Sequence, residues 1–478
     1  MEHTANENLP RSSPEQVGVS PEAILGFIDA VNTAVGGLHS FMLLRHGQVA
    51  AEAWWAPYRP NYPHQLFSLS KSFTCTAVGL AIQEGKLSLE DRLVSYWPDD
   101  VPESVSDNLA AMRIKDLLCM GAGHATDTTG AIQRAADGNW VKAFLALPVE
   151  FLPGTHFVYN SGATYMLSAT VQRVTGQTVL DYLRPRLFEP LHITGATWDK
   201  SPQGIDCGGW GLNIKTEDIA KFGQLYLQNG EWGGRQLVPK NWVHLATQKH
   251  ISNGDGGASD WTQGYGYQFW RCRHNAYRGD GAFGQYCIIV PDLDAVIAIT
   301  SGVKDMQAVL NCVWERLLPG IGERTGSHRK ESELIRALAR QQVPFASGSA
   351  TSPQTESISD RPFIFEPNDQ GIKSISLHFR SNRCDVRLAA DGGEAAFSCG
   401  SERWVRGTGR TYGHAEPVAA RGAWTASNQY TMTLCFYRTP FVKTLVLDFS
   451  PGRVTLKRSV NVSFGATDYA PISGVQAG

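Results

Sequence analysis

The sequence lacks several features that would assign the chain to a class of protein. It has no run of about 18 consecutive apolar residues, so it predicts no membrane-spanning helix. Its start, MEHTANENLPRSSPEQ, has neither the basic residues nor the apolar stretch of a signal peptide, which predicts a cytoplasmic protein. Lys/Arg runs are also missing, and 43 basic against 45 acidic residues give a net charge of −2. We therefore expect neither nucleic acid nor a membrane as a partner.

Patterns for disulfides and metals are missing as well. The nine cysteines are scattered without a CxxC pair, and their odd number favours free thiols that fill the core in a reducing compartment. The thirteen histidines form neither HExxH nor a Cys/His cluster with ligand spacing. We expect no metal and no cofactor.

Length and composition predict two globular domains. The 478 residues exceed one ordinary core, and 42% hydrophobic with 18% charged residues lies in the globular range. From about residue 345 the chain reads ASGSATSPQTESISD, which is poor in large apolar residues and typical of a linker. We predict a first domain over 10–330, a linker over 331–361 and a second domain over 362–475.

The patterns of apolar residues indicate a mixed α/β (α+β) fold. HSFMLLRHGQVAAEAWW predicts a hairpin around the His46-Gly47 turn, and 70–84 has helical spacing. The middle, 86–260, is mainly helical, and two strand-like runs follow, GYGYQFWRCR and GQYCIIVPDLDAVIAITS. In the second domain, stretches such as SISLHFRS and YTMTLCFYR predict an antiparallel β module.

A candidate nucleophile opens the helix over 70–84. Ser68-Leu69-Ser70-Lys71 is an S-x-x-K motif. A serine at a helix N-terminus meets the positive end of the dipole, which stabilises an alkoxide-like oxygen by roughly 0.3–2 kcal/mol. Lys71 shares the helix face of Ser68, and a desolvated lysine can act as a base. The alternative for an isolated match is a capping serine beside a solvated lysine.

The sequence has two further S-x-x-K matches, which begin at Ser301 and Ser327 and end at Lys304 and Lys330. Ser301 follows a predicted strand, and Ser327 lies in the polar run GERTGSHRK. Neither opens an apolar helix, so we favour Ser68.

The sequence around Ser68, LFSLSKSFTCTAVGLAIQEGKLSLEDRLVSYWP, resembles the β-lactamase-related serine hydrolases. This penicillin-recognising family includes class C β-lactamases, DD-peptidases, family VIII esterases and 6-aminohexanoate-dimer hydrolases. RIKDLLCMGAGH is similar to the next family block, and the resemblance spans roughly residues 10–320. It implies a β-lactamase/transpeptidase-like antiparallel sheet flanked by helices, with a mainly helical subdomain. The C-terminal antiparallel β module would be an addition.

The second motif of this family, Y-x-N or Y-x-S, matches Tyr159-Asn160-Ser161. The resemblance implies that Tyr159 is an acid/base whose pKa is lowered by the protonated lysine, and that Ser161 helps to hold the proton network. The alternative is a core tyrosine with a satisfied hydroxyl.

The third motif, K-T-G or H-x-G, aligns with Asp280-Gly281-Ala282. An aspartate at the basic position would repel a substrate carboxylate, which makes penicillins and peptide C-termini poorer candidates. Arg278 or His274, from the same hairpin, stays open as a source of positive charge. Arg324-Thr325-Gly326 is similar to K-T-G by letters, yet it follows the last helical run, and we take it as a decoy.

Small residues in the third motif suit a close approach to the bound substrate. Gly281 and Ala282 would let the substrate backbone or acyl group come near the strand edge. By analogy with the family, the amides of Ser68 and Phe283 would form the oxyanion hole, each typically worth about 2.7–4 kcal/mol in the transition state.

The sequence therefore predicts a serine hydrolase that cleaves an ester or amide of a small molecule through an acyl-enzyme on Ser68, most simply an esterase. The sequence has no G-x-S-x-G elbow, which argues against an α/β-hydrolase. Alternatives are an amidase, an aminopeptidase or a weak β-lactamase, and a binding or sensor protein that is acylated without turnover.

The β module and the tryptophans have no assigned role. The module would cover the active-site mouth, set substrate length or form a homo-oligomer, and the residues do not choose among these. Trp54, Trp55, Trp261 and Trp270 suit an apolar substrate pocket, but tryptophans are more often core.

Overall fold

The structure is a computed structural model that describes residues 8–322, 328–411 and 414–477. The decoy Arg324-Thr325-Gly326 and Ser327 lie outside these residues. Over the described ranges, helices surround one sheet in the first part of the chain, and a second, larger sheet follows. This arrangement confirms the predicted fold class.

An antiparallel sheet forms the centre of the first part. Its strands are β1 (Leu38–Arg45), β2 (Gln48–Trp54), β8 (Trp270–Arg271), β9 (Tyr277–Gly281), β10 (Gln285–Val290) and β11 (Ala295–Ser301), in the order β2-β1-β11-β10-β9-β8. Small sheets are formed by β3 (His64–Gln65), β4 (Thr197–Trp198) and β5 (Leu212–Ile214), and by β6 (Glu231–Trp232) and β7 (Arg235–Gln236).

The predicted hairpin between β1 and β2 is confirmed. His46 and Gly47 have φ angles of 52° and 72°, the left-handed values that a two-residue hairpin turn requires. The strand prediction for GYGYQFWRCR is wrong over most of its length, since only Trp270–Arg271 forms a strand. Positive φ angles at Gly264 and Gln268 interrupt the extended backbone ahead of it.

Helices cover both faces of this sheet. They are α1 (Pro21–Ala30), α2 (Ser70–Gln83), α3 (Asp107–Ala111), α4 (Ile114–Leu118), α5 (Thr129–Gln133), α6 (Trp140–Leu145), α7 (Ser161–Thr175), α8 (Val179–Leu183), α9 (Thr216–Leu227), α10 (Lys240–Thr247), α11 (Met306–Cys312) and α12 (His328–Ala339). Alternate residues of β1 enter two cores: Phe41 and Leu43 join the core of α1 and α11, while Met42 and Leu44 join that of α2 and α9. Burial on both faces explains the unbroken apolar run in β1.

The C-terminal part is an antiparallel β-barrel preceded by α13 (Thr355–Ile358). Its strands are β12 (Phe363–Phe365), β13 (Ile372–Phe379), β14 (Arg383–Ala390), β15 (Gly393–Gly400), β16 (Val405–Thr411), β17 (His414–Ala426), β18 (Gln429–Cys435), β19 (Val442–Ser450), β20 (Arg453–Val460) and β21 (Ile472–Gln476). A pairing of β15 with β17 at Gly400 and Arg421 closes the sheet. The segment 331–361, predicted as a linker, holds much of α12 and all of α13. The predicted domain boundaries stay predictions.

All nine cysteines are buried and free. In the described residues, no helix is both long and apolar enough to cross a membrane.

Strand β9 packs directly on the chain that leads into α2. A Cβ atom added to Gly281 would lie 1.9 Å from the carbonyl oxygen of Leu66, and one added to Gly279 would lie 2.6 Å from the hydroxyl of Ser72. The close approach at Gly281 is therefore to the protein's own backbone, whereas we expected it to be to the substrate. This contact fixes β9 against the turn that carries Ser68.

We predict that Gly281→Ala lowers the free energy of unfolding by about 1–3 kcal/mol, because the new methyl group overpacks a rigid backbone contact. Denaturant unfolding checks this value. The control is Gly407→Ala on β16, where a Cβ meets nothing within 4 Å. If the two variants were equally stable, β9 would not be packed as closely against the carbonyl of Leu66 as the structure shows.

Candidate active site

Ser68 lies in a tight 3-10 turn, Phe67–Leu69, immediately before α2. Phe67 has a φ of 47°, a left-handed value that is costly for a bulky residue and common at functional sites. Ser70 holds the turn: its hydroxyl donates to the Phe67 carbonyl at 2.6 Å and accepts from the amide of Leu212 at 3.1 Å. The Ser68 side chain is half-buried and points into the site that Lys71 shares.

The amine of Lys71 is buried among three oxygen atoms. It lies 3.0 Å from the Ser68 hydroxyl, 2.8 Å from the Ser161 hydroxyl and 2.8 Å from the carbonyl of Gly209. Desolvation lowers the pKa of Lys71 from 10.5 to about 7, although the carboxylates of Asp127 and Asp280 oppose the shift. A substantial fraction of this lysine is therefore neutral at physiological pH and can accept the serine proton.

The start of α7 brings Ser161 to the lysine. The side chain of Asn160 caps α7 by accepting from the amide of Ala163 at 3.2 Å and from the Thr128 hydroxyl at 2.8 Å. A Cβ added to Gly209 would lie 2.8 Å from the Ser161 carbonyl oxygen, so only glycine lets this loop reach Lys71. Sequence reasoning missed Gly209, since a backbone acceptor leaves no signal in residue type.

The ring of Tyr159 lies over the same amine. Its centroid is 4.7 Å from the Lys71 nitrogen, and the ring stacks on Trp270 at 5.2 Å. Burial and the charge of Asp280 raise the pKa of Tyr159 well above its usual value, although the contact with Ser68 opposes this. The expected lowering of this pKa is therefore wrong, because burial of the phenol and the charge of Asp280 outweigh the groups that lower it. The phenol keeps its proton and suits a donor.

Asp280 forms a buried ion pair with Arg278. Each is nearly inaccessible, and the guanidinium lies 2.8 Å from the Asp280 carboxylate. Arg278 also donates to the carbonyl of Asp260 at 2.8 Å and packs over the ring of Trp261 at 4.4 Å. The expected repulsion of a substrate carboxylate by Asp280 thus loses its basis, because its charge is paired. Arg278 is equally unavailable to substrate, and His274 lies before β9, at the end away from Gly281.

The loop Ala282–Gly284 joins β9 to β10 and includes Phe283. Gln285 donates to the carbonyl of Ala282 at 2.9 Å, and the hydroxyl of Ser301 donates to the carbonyls of Phe283 and Gly284 at 2.8 and 2.7 Å. Ser301, the first serine of another S-x-x-K match, therefore holds the loop and lies on a strand. The use of the Phe283 amide as an oxyanion donor stays a prediction.

Asp127 is an exposed carboxylate at the site that sequence reasoning missed. It accepts from the amide of Ser161 at 2.9 Å, and its charge raises the pKa of both Lys71 and Tyr159. Its only signal was the polar run ATDTTG between two predicted helices, which resembles any loop.

The barrel contributes two aromatic rings to the rim of the site. Phe67, Phe283, Phe441 and Phe464 form a phenylalanine cluster, in which Phe464 lies 4.8 Å from Phe283 and 5.7 Å from Phe67. Phe464 is 75% exposed. Asn461 fixes its loop by donating to the carbonyl of Gly302 at 2.9 Å. The barrel thus borders the active site. Of the three roles considered for it, this position favours covering the mouth of the site and setting substrate length.

Of the tryptophans, Trp55 and Trp270 are buried, which agrees with a core role. Trp270 adds the stacking contact with Tyr159.

We predict that Lys71→Met makes the fold more stable in a pH-dependent way. Because the folded state prefers the neutral amine, wild type carries a penalty that is fully present below about pH 7 and disappears as the pH rises to 10.5. The variant should therefore unfold at a higher temperature at about pH 6, and the difference should shrink by about pH 9.

Thermal unfolding of both proteins across this range is the measurement. Lys115→Met, which replaces a surface lysine paired with Glu90, is the control and should not change the pH dependence. A difference between wild type and Lys71→Met that does not vary with pH would contradict the lowered pKa.

Comparison with known proteins places this geometry in a family. The 6-aminohexanoate-dimer hydrolase of Paenarthrobacter ureafaciens is 26% identical over 291 residues, which are 56% of this chain and 73% of that protein. The lovastatin esterase of Penicillium rubens is 31% identical over 153 residues, 27% of this chain and 38% of the esterase. The octameric penicillin-binding protein homologue from Pyrococcus abyssi shares the fold, with a TM-score of 0.50 and 14% identity over 95% of this chain and 99% of that one.

A model of the Beta-lactamase family matches residues 32–308. The match covers more than half of the 478 residues. The resemblance carried by the motifs around Ser68 and Tyr159 is thereby confirmed at the level of the family. The chain belongs to the β-lactamase family.

Proposed function

We propose that the protein is a serine hydrolase that cleaves a small ester through an acyl-enzyme on Ser68. The observation that carries this proposal is the buried amine of Lys71, 3.0 Å from the Ser68 hydroxyl, with a pKa of about 7. A neutral amine at this distance is a base that can activate a serine.

In the first step, the oxygen of Ser68 attacks the ester carbonyl while its proton passes to the amine of Lys71. The amides of Ser68 and Phe283 are the proposed donors to the oxyanion. Collapse of the tetrahedral intermediate breaks the bond to the alcohol, which takes a proton from Tyr159. The ammonium of Lys71 then returns a proton to the phenolate of Tyr159 through the network that includes Ser161.

In the second step, water attacks the acyl carbonyl. The neutral amine of Lys71 accepts one proton of the water and passes it to the oxygen of Ser68 when the bond to the acyl group breaks and the carboxylic acid leaves. Every proton is returned, so the cycle needs no further reactant.

An apolar ester suits the surroundings of Ser68. Phe67, Phe283 and the exposed Phe464 supply apolar surface at the rim, while the cation nearest in sequence to the third motif, Arg278, is paired with Asp280. A free substrate carboxylate would thus gain no ion pair from that motif. The lovastatin esterase among the relatives is by its name an ester hydrolase.

Asp127 favours a second candidate, an amidase or aminopeptidase. Its exposed carboxylate, 2.9 Å from the Ser161 amide, would attract a substrate with a positively charged amine. Amide cleavage uses the same residues and requires stronger protonation of the leaving group. An acylated protein without turnover is the remaining alternative.

We predict that wild type hydrolyses short-chain p-nitrophenyl esters and gains the mass of the acyl group, and that Ser68→Ala loses both. Stopped assays followed by intact mass spectrometry measure turnover and adduct together. Ser327→Ala, which alters another S-x-x-K serine, is the control and should retain activity. An adduct without turnover would favour the sensor alternative, and turnover by Ser68→Ala would exclude Ser68 as the nucleophile.

We predict that Phe464→Ala raises KM for p-nitrophenyl hexanoate more than for the acetate, by roughly threefold to tenfold, because the longer chain loses apolar contact. Steady-state kinetics on both esters gives the comparison, and kcat should change little because the Phe464 ring contacts the rings of Phe67 and Phe283. Phe379→Ala, a partly buried residue that packs on Trp424 inside the barrel, is the control. An equal change for both esters would contradict a role in chain recognition.

A further inference from the structure

The C-terminal barrel contains a cavity of about 240 Å³ at one end. Residues from seven of the ten strands, β13–β16 and β18–β20, line it, many of them near strand ends, so it opens at the barrel mouth. Apolar side chains form most of its wall: Ile372, Leu388, Phe397, Leu434, Phe436 and Leu445. We call this space the barrel cavity. The mouths of closed β-barrels are a common position for small-molecule sites.

Three cationic residues line the barrel cavity: Arg410, which is exposed near the end of β16, and Lys443 and Arg458. Lys443 lies two residues before the buried Leu445 on β19, and Arg458 lies two residues after the buried Leu456 on β20. Since alternate residues of a strand share one face, both cations face the interior. The strands are paired, with Leu445 opposite Arg458, so the two cations lie close together at the mouth.

The contacts of these cations are with neutral groups. The Lys443 amine donates to the carbonyl of Arg410 at 3.0 Å and lies 5.0 Å from the ring of Phe436. The Arg458 guanidinium donates to the side-chain oxygen of Gln370 at 2.8 Å and lies 4.8 Å from the ring of Tyr469.

No Asp or Glu occurs among the described residues that line the cavity. A carboxylate that acts on Arg458, that of Asp369, lies outside the lining. Burial and the charge of Arg458 lower the pKa of Lys443 to about 8. Cations held in an apolar cavity without a carboxylate are costly, and an anion at the same place would offset that cost.

We propose that the barrel cavity binds a medium-chain aliphatic carboxylate, whose head group pairs with Lys443 and Arg458 and whose chain lies against the apolar wall. The carboxylate can accept from both cations, and such charge-assisted hydrogen bonds are among the strongest in proteins. The apolar side chains deeper in the barrel accept the chain. This site is separate from Ser68, and the inference does not depend on the proposed hydrolase activity.

The test is isothermal titration of the full chain carrying Ser68→Ala with decanoate. We expect saturable binding of one decanoate per chain. Lys443→Met and Arg458→Met should each weaken it at least about tenfold, the effect of losing one charge-assisted hydrogen bond. Lys457→Met is the matched control. Lys457 precedes Arg458 on β20, points outward and pairs with Asp448 at 2.9 Å. This variant should leave the affinity unchanged.

Two further measurements keep the test decisive if a cation variant unfolds. Ala395→Phe fills the cavity from β15 and should abolish binding while both cations remain. On the unmodified cavity, 1-decanol and decyltrimethylammonium should each bind at least about tenfold more weakly than decanoate. The proposal is overturned if decanoate does not bind saturably, if 1-decanol binds equally well, or if Ala395→Phe leaves the affinity unchanged.

Discussion

The burial of one amine, that of Lys71, is the constraint on which the active site depends. An ammonium in the interior is stable only when oxygen atoms replace its water, and here three separate segments supply them: the turn before α2, the start of α7 and the loop at Gly209. These three oxygen atoms hold the amine in place, but they do not make up for the water that its charged form loses on burial. The pKa of Lys71 therefore falls to about 7. The same burial that destabilises the fold produces the base.

The rest of the site follows from holding these segments together. Glycine at 281 lets β9 contact the backbone of Leu66, and glycine at 209 lets a carbonyl approach Ser161. The second buried charge, Arg278, is matched by Asp280 and stacks on tryptophan. Both Asp280 and the exposed Asp127 raise the pKa of Lys71. The barrel adds Phe441 and Phe464 to the aromatic cluster at the rim, where both contact Phe283. A substrate bound at Ser68 would therefore also meet side chains of the barrel.

The sequence predicted those parts that depend on local patterns. The hairpin at His46-Gly47, the helix after Ser68 and the antiparallel module all followed from periodicity and turn residues, and the motifs brought Lys71 and Ser161 to the same place as Ser68. It could not predict contacts that join distant residues. The Gly209 carbonyl and the ring of Phe464 are separated from Lys71 and Phe67 by long stretches of chain. The predicted direction of the Tyr159 pKa shift was wrong because it is set mainly by burial of the phenol, which depends on the folded surroundings of the ring.

The pH dependence of acylation shows whether neutral Lys71 is the base for Ser68. Rapid quench followed by mass spectrometry gives the rate at which the acyl adduct forms on the wild-type protein, independently of its hydrolysis. If neutral Lys71 is the base, this rate rises with a single ionisation near pH 7 and then becomes constant. A rate that is independent of pH, or one that rises only near the ordinary lysine value of 10.5, would contradict it.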